Sequence, residues 1–130
     1  MENKPSKPVI VKTMIATKKS VTVKMLGKVK RDLPVSILQQ GYNMRQKSLW
    51  VSEAIESLLA VKDWEGALLS ELETKTEVQD VFTIPTDVIR LINKEIIRVE
   101  SISPRLKANT SSIIRAAINR RLLGFYRKSP

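Results

Sequence analysis

The sequence of 130 residues contains no cysteine and no histidine. Their absence excludes disulfides, metal sites built on Cys or His ligands, and nucleophile–histidine pairs. Only 5% of the residues are aromatic, so a core has to be built mainly from Ile, Leu, Val and Ala. No apolar run approaches the roughly 20 residues of a membrane span, and the N-terminus lacks the apolar stretch of a signal peptide. We therefore expect a cytoplasmic protein without enzyme activity, metal, cofactor or membrane attachment.

Positive charge is in excess. Lys and Arg number 23 against 13 Asp and Glu, which gives a net charge of +10. An excess of this size in a small chain indicates a polyanionic partner. The acidic residues concentrate between residues 61 and 80, whereas the flanking segments are basic. The acidic segment is therefore predicted to face away from the polyanion.

The clearest pattern in the chain is a unit at residues 80–124. It begins with a predicted strand, in which Phe82 and Ile84 share one face while Val81 and Thr83 share the other. Two apolar helices follow, and a proline separates them. One strand with two helices cannot bury its own faces, so a second unit is required.

A looser copy of this unit is expected at residues 21–60. Its strand has two possible positions, 21–26 and 28–33, and the sequence leaves both open. Asp32 is a candidate cap for a short first helix, and Ser48 is a candidate cap for the second. Pairing the strands of the two copies predicts a mostly α fold with a two-stranded antiparallel β-ribbon.

The charge and helix patterns together predict the domain organisation. We expect a basic flexible arm at 1–20, the first copy at 21–60, an acidic helical linker at 61–79, the second copy at 80–124 and a short tail at 125–130.

At the level of motifs, the second copy reads TIP-T, an apolar helix, a break and TSSIIRAAINRRL, and the first reads DLPVSI followed by GYNMRQKSLWVSEAIESLL. With these motifs the chain resembles the ribbon-helix-helix DNA-binding family, which includes Arc-, MetJ- and CopG-type repressors. Two copies in one chain are similar to the tandem TraY-type plasmid-transfer accessory proteins. The resemblance implies an intrachain pseudo-dimer whose ribbon lies in the DNA major groove.

That resemblance implies a plasmid-transfer (relaxosome) accessory factor or a transcriptional repressor. The expected partner is double-stranded DNA, with a relaxase or another relaxosome protein as a further candidate. The chain would be a monomer with an internal pseudo-two-fold, able to oligomerise on DNA.

Outward side chains of the ribbon are the candidate base readers, because lysine can bond guanine and threonine can contact the thymine methyl group. The candidate base-contact residues are Thr22, Lys24, Lys28, Lys30, Val81 and Thr83, where the two lysines at 28 and 30 apply to the second strand position. Helix N-termini attract phosphates through free N–H groups and the helix dipole. The candidate phosphate-contact residues are Arg45, Lys47, Ser48, Lys107, Thr110 and Ser111.

Two alternatives stay open. In the first, the chain is a helix-turn-helix regulator that places the helix at 110–123 in the groove and uses Arg115, Arg120 and Arg121. In the second, it is a protein-interaction adaptor that does not bind DNA. Trp50 could stack on a base, but its position at the start of an apolar helical stripe predicts a core residue.

Overall fold

The computed structural model describes residues 17–68, 76–106 and 108–128, and within them the order strand–helix–helix occurs twice. The elements of the first half are strand β1 (Lys18–Met25), helix α1 (Gly27–Gln39), a 3-10 turn (Met44–Gln46) and helix α2 (Lys47–Leu59). Those of the second half are strand β2 (Val78–Pro85), helix α3 (Thr86–Ile102) and helix α4 (Thr110–Lys128).

Strands β1 and β2 pair antiparallel, from Lys18 opposite Pro85 to Met25 opposite Val78. Because successive side chains of a strand point to opposite faces, the ribbon has one inner and one outer face. The inner face carries the buried side chains Val23, Met25, Phe82 and Ile84. The predicted fold class, mostly helical with a two-stranded antiparallel ribbon, is confirmed.

Helix α1 occupies residues 28–33, so the second of the two positions considered for the first strand is wrong. The helix starts directly after the strand, and a carboxylate from the other half meets its N-terminus. The backbone N–H of Gly27 donates to Oε1 of Glu77 at 2.9 Å. A negative group at this end satisfies a free N–H group and complements the helix dipole.

The predicted helix cap Asp32 lies inside α1, and that prediction is wrong. Pro34 also lies in the helix interior, where it removes one backbone hydrogen bond. Leu33 and Ile37, on the inner side of the same turns, are at most 1% exposed. Their burial offsets the local cost of the proline and continues the helix to Gln39.

Helices α2 and α4 pack against each other and against the inner face of the ribbon. Trp50 is fully buried at the start of this contact, so its predicted place in the core is confirmed. The other buried apolar residues of these helices are Val51, Ala54, Ile55 and Leu58 in α2, and Ile113, Ile114, Ala116, Ala117, Ile118 and Leu122 in α4. As the scarcity of aromatic residues requires, aliphatic side chains supply most of this layer.

Residues 62–68 lie against α3 after the end of α2. Nε1 of the buried Trp64 donates to Oε1 of Glu95 at 2.8 Å. Arg98 bridges the same two segments, with Nη2 3.2 Å from Oε1 of Glu65 and Nε 3.1 Å from Oε1 of Glu95. The hydrogen bonds to Glu65 and then to Glu95 raise the pKa of the Arg98 guanidinium above its ordinary value.

Several predicted boundaries differ from the observed ones. Strand β1 begins within the predicted arm, whose residues 1–16 lie outside the described part. Of the predicted linker, residues 66–68 are helical, 69–75 lie outside the described part, and 78–79 already belong to β2. Helix α4 continues to Lys128, beyond the predicted end of the second copy at residue 124 and through Gly124. A single glycine is tolerated in a helix at a cost of about 1 kcal/mol relative to alanine.

Within the described residues, no helix combines the length and the apolarity needed to cross a bilayer.

Candidate nucleic-acid interface

The outer face of the ribbon is the candidate interface. Its side chains meet across the strands as the pairs Lys18 with Pro85, Ser20 with Thr83, Thr22 with Val81, and Lys24 with Gln79. Apart from the half-buried Pro85, all are exposed. Apart from the apolar Val81 and Pro85, the face carries hydroxyl, amide and ammonium groups, the groups that hydrogen-bond to base edges.

Four of the predicted base-contact residues share this face, namely Thr22, Lys24, Val81 and Thr83. Sequence reasoning missed Lys18, Ser20 and Gln79. The alternation that singled out Thr22 and Lys24 extends to Ser20, but the polar residues Lys19 and Asp80 interrupt it before Lys18 and Gln79.

Lys28 and Lys30 do not lie on the outer face, because residues 28–33 are helical. Lys30 reaches the ribbon from the side, and its Nζ donates to the backbone carbonyl of Gln79 at 2.7 Å. The Lys30 side chain is therefore bonded to the backbone of the ribbon and does not project from its outer face. The proposed base contacts of these two lysines therefore lose their structural basis.

A helix N-terminus flanks each long edge of the ribbon. At the β2 edge, Oγ of Ser48 near the start of α2 donates to the carbonyl of Thr83. At the β1 edge, Oγ of Ser111 near the start of α4 donates to the carbonyl of Thr22 at 3.3 Å. Each hydroxyl satisfies an edge carbonyl that a two-stranded sheet would leave without a partner.

The predicted cap Ser48 does not begin the α2 region. The chain enters the α2 region at Asn43, whose Oδ1 accepts the N–H of Arg45 at 2.9 Å, while its own N–H donates to Oε1 of Gln46 at 3.0 Å. This reciprocal pair is a capping box, and the spacing N-x-x-Q is its sequence signal. Ser48 therefore does not cap α2, which begins at Lys47.

Asn109 performs the same task for α4. Its Oδ1 accepts the N–H of Ser112 at 2.8 Å, and its own N–H donates to Oγ of Ser112 at 3.1 Å. Thr110 and Ser111 then form the start of the first turn. Both therefore lie where a helix N-terminus exposes its N–H groups.

The two cations at the N-terminal end of α2, Arg45 and Lys47, differ in exposure and in their contacts. Arg45 is exposed on the 3-10 turn. Nζ of Lys47 lies 3.0 Å from Oδ2 of Asp80 and 4.7 Å from the centroid of the Phe82 ring. Between this helix end and the ribbon runs an open cleft of about 320 Å³, lined by Lys18, Arg45, Lys47, Ser48, Val81, Phe82 and Thr83. The acid neutralises part of the positive charge at the cleft.

The arginine side chains of α4 form hydrogen bonds to other elements of the same chain. Nη1 of Arg115 donates to the carbonyl of Lys24 at 3.1 Å, and Nη1 of Arg120 donates to Oγ of Ser57 at 2.9 Å. Arg121 is half-buried between α4 and α2, and its guanidinium lies over the rings of Tyr42 and Trp50. The predicted phosphate contact Lys107 lies outside the described residues.

Comparisons with protein-family models, curated proteins and solved structures gave no match for this chain. Among the described residues, no cluster of three or more acidic side chains is placed to hold a metal ion.

Proposed function

We propose that this chain is a sequence-specific double-stranded DNA-binding protein that inserts its β1–β2 ribbon into the major groove. One observation carries the proposal: the exposed polar face of the ribbon is flanked on each long edge by a helix N-terminus, α2 along β2 and α4 along β1. A two-stranded ribbon fits the width of the major groove. The net charge of +10 supplies attraction to the phosphate backbone.

In this proposal the two halves form an intrachain pseudo-dimer. Ser48 of the first half bonds to a strand carbonyl of the second, and Ser111 of the second half bonds to a strand carbonyl of the first. Such an exchange of equivalent contacts is what a two-fold arrangement requires. Because both strands belong to one chain, the ribbon is complete in a monomer, and further copies would add only along the DNA.

Phosphate contacts would fix the ribbon in the groove from both sides. At the α4 end, the N–H groups around Thr110 and Ser111 carry the positive end of the helix dipole. At the α2 end, Arg45 and Lys47 supply charge, and Ser48 lies at the same edge. These contacts do not depend on sequence, so they set affinity and its salt dependence, while the outer face of the ribbon sets specificity.

The biological role that we propose is a plasmid-transfer accessory factor or a transcriptional repressor acting in the cytoplasm. The resemblance to TraY-type accessory proteins and to Arc-, MetJ- and CopG-type repressors supports this role. An accessory factor would have a relaxase or another relaxosome protein as a second partner, whereas a repressor would need DNA alone.

The contacts of α4 favour the ribbon over a helix-turn-helix mode. Arg115 and Arg121 donate hydrogen bonds to the backbone carbonyls of Lys24 and Trp50. A recognition helix needs such side chains for base edges. On the ribbon, by contrast, the hydrogen bonds from Ser111 and Arg115 go to the backbone carbonyls of Thr22 and Lys24, and the side chains of these two residues are exposed.

Fluorescence anisotropy with duplexes chosen by selection from random DNA tests the proposal. We expect binding that weakens steeply with salt, with a slope of log affinity against log salt of about −0.9 per phosphate contacted. Lys24→Ala should reduce the preference for the selected sequence, and Arg120→Ala should preserve it. A helix-turn-helix protein would give the reverse result, and an adaptor would not bind DNA near physiological salt.

A further inference from the structure

The two ends of the ribbon carry different chemistry, although the ribbon itself is regular. At one end Lys24 and Gln79 lie directly opposite each other, and both are exposed. At the other end Lys18 lies opposite Pro85, which has no hydrogen-bonding side chain. We refer to these as the Lys24–Gln79 end and the Lys18–Pro85 end. The next pairs inward also differ, with a hydroxyl facing Val81 on one side and two hydroxyls on the other.

The backbone under the Lys24–Gln79 end is held on both edges. Nη1 of Arg115 donates to the carbonyl of Lys24 at 3.1 Å, and Nζ of Lys30 donates to the carbonyl of Gln79 at 2.7 Å. The adjacent carboxylate of Glu77 is fixed on the N–H of Gly27. Side chains on a backbone fixed in this way are presented at defined positions, which is what discrimination between bases requires.

We infer that the DNA site of this protein has a direction, with the Lys24–Gln79 end reading bases stringently and the Lys18–Pro85 end reading them loosely. The inference rests on the proposed function and adds to it a residue, Gln79, that the sequence did not identify. Lysine bonds to O6 and N7 of guanine, and glutamine bonds in a bidentate manner to N6 and N7 of adenine. The Cβ atoms of directly opposed residues lie about 5 Å apart. The side chains of Lys24 and Gln79 can therefore reach neighbouring base pairs.

The stringent end is also defined by its flanking helix. Ser111 and Arg115 attach α4 to the carbonyls of Thr22 and Lys24, so the N-terminal part of α4 lies along the side of this end. Ser48 attaches α2 to Thr83, toward the Lys18–Pro85 end. On a directional site, the start of α4 therefore contacts the phosphates on one flank, and the start of α2 contacts those on the other.

Selection of duplexes from random DNA with the wild-type chain, Gln79→Ala and Thr83→Ala tests the stringent end. We expect a non-palindromic wild-type consensus with neighbouring guanine and adenine preferences at one end. Gln79→Ala should lose about tenfold in discrimination at the adenine alone. Thr83→Ala, the matched truncation at the loose end, should leave the guanine and adenine preferences intact. A palindromic consensus, or a consensus unchanged by Gln79→Ala, would overturn the inference.

A second experiment measures orientation directly. Because the chain has no cysteine, one introduced thiol can carry an iron chelate that cleaves nearby DNA. Met44→Cys places it on the turn before α2, and Arg105→Cys places it in the segment before α4, both at exposed positions. On the selected duplex, each probe should cut one flank, and the two probes should cut opposite flanks.

The outcomes separate the two levels of the argument. Equal cleavage of both flanks by each probe would mean that the protein binds in both orientations, which overturns the direction of the site and leaves ribbon binding in place. Failure of the wild-type chain to bind any duplex at low salt would overturn the proposed function and, with it, this inference. Circular dichroism of each variant confirms that the fold is retained.

Discussion

The guanidinium of Arg121 lies over the buried ring of Trp50, 4.5 Å from its centroid, and Nη1 donates to the carbonyl of the same residue at 2.7 Å. The guanidinium also bonds to Oε1 of Gln40 at 3.2 Å and to Oη of Tyr42 at 3.1 Å. Arg121, one of the arginines that a helix-turn-helix mode would use for DNA, therefore forms tertiary contacts within the protein. It joins α4 to α2 and to the end of α1.

Arg121→Ala should lower the free energy of unfolding by about 2 to 3 kcal/mol, since it removes several charged hydrogen bonds and a cation–π contact that join α4 to α2. Arg120→Ala is the matched control, because Arg120 is exposed and bonds to the exposed Ser57. Its cost should stay within about 0.5 kcal/mol. Urea unfolding measures both, and equal costs for the two variants would contradict the structural role of Arg121.

Lys30 and Lys24 provide a test of the strand position. Lys30→Ala should lower stability by about 1 kcal/mol, because it leaves the carbonyl of Gln79 without this donor. At saturating protein, Lys30→Ala should keep the guanine preference that Lys24 supplies, and it should weaken only the adenine preference of Gln79, whose backbone carbonyl Lys30 holds. Lys24→Ala should do the opposite, with little change in stability and a reduced preference. Loss of preference in both variants to the same degree would argue that Lys30 also contacts bases.

The sequence predicts those parts of the fold that depend on local periodicity. Alternation placed Phe82 and Ile84 inward and Thr83 outward, and the apolar stripe around Trp50 identified a core helix. The start of the 3-10 turn before α2 was also available locally, since Asn43 and Gln46 have capping-box spacing. The hydroxyl at Ser48 was preferred because serine is an equally good cap, but its hydroxyl is bonded to Thr83 instead.

The parts of the fold that the sequence did not predict depend on contacts between residues far apart in the chain. The first strand pairs with residues 78–85, and Glu77 meets the N–H of Gly27 at the start of the following helix from fifty positions away in the sequence. Lys18 has no local strand signal, and it is extended because it pairs with Pro85, while the N–H of Thr86 donates to the carbonyl of Thr17 at 3.2 Å. A periodicity argument has no access to such partners before the two halves are brought together.

Glu95 joins the segment after α2 to α3. It accepts from the buried Nε1 of Trp64 and from Nε of Arg98. Glu95→Ala should cost about 2 kcal/mol, because it leaves a buried indole N–H without an acceptor. Glu100→Ala, on the exposed side of the same helix, should cost less than about 0.5 kcal/mol. Thermal unfolding followed by tryptophan fluorescence measures the difference, and similar midpoints for both variants would contradict the role of Glu95.

Asp80 partly neutralises the positive charge beside the ribbon. Removing its negative charge would strengthen the attraction between this surface and DNA. Its Oδ2 lies 3.0 Å from Nζ of Lys47, and its Oδ1 accepts the N–H of Val81, a contact that the amide oxygen of asparagine can keep. Asp80→Asn should therefore raise DNA affinity at low salt, and it should steepen the slope of log affinity against log salt by about one phosphate contact. Its effect on stability should be within about 1 kcal/mol, as for other partly exposed ion pairs.

The control for Asp80→Asn is Glu100→Gln, which removes the same charge near the far end of α3. That position is about 20 Å along the helix from the ribbon, beyond the distance over which charges act through physiological salt. Glu100→Gln should leave the salt slope unchanged, and anisotropy titrations over a salt series measure both variants. If the two variants gained affinity equally, the gain would reflect net charge alone, and Lys47 would not be a phosphate contact released from Asp80.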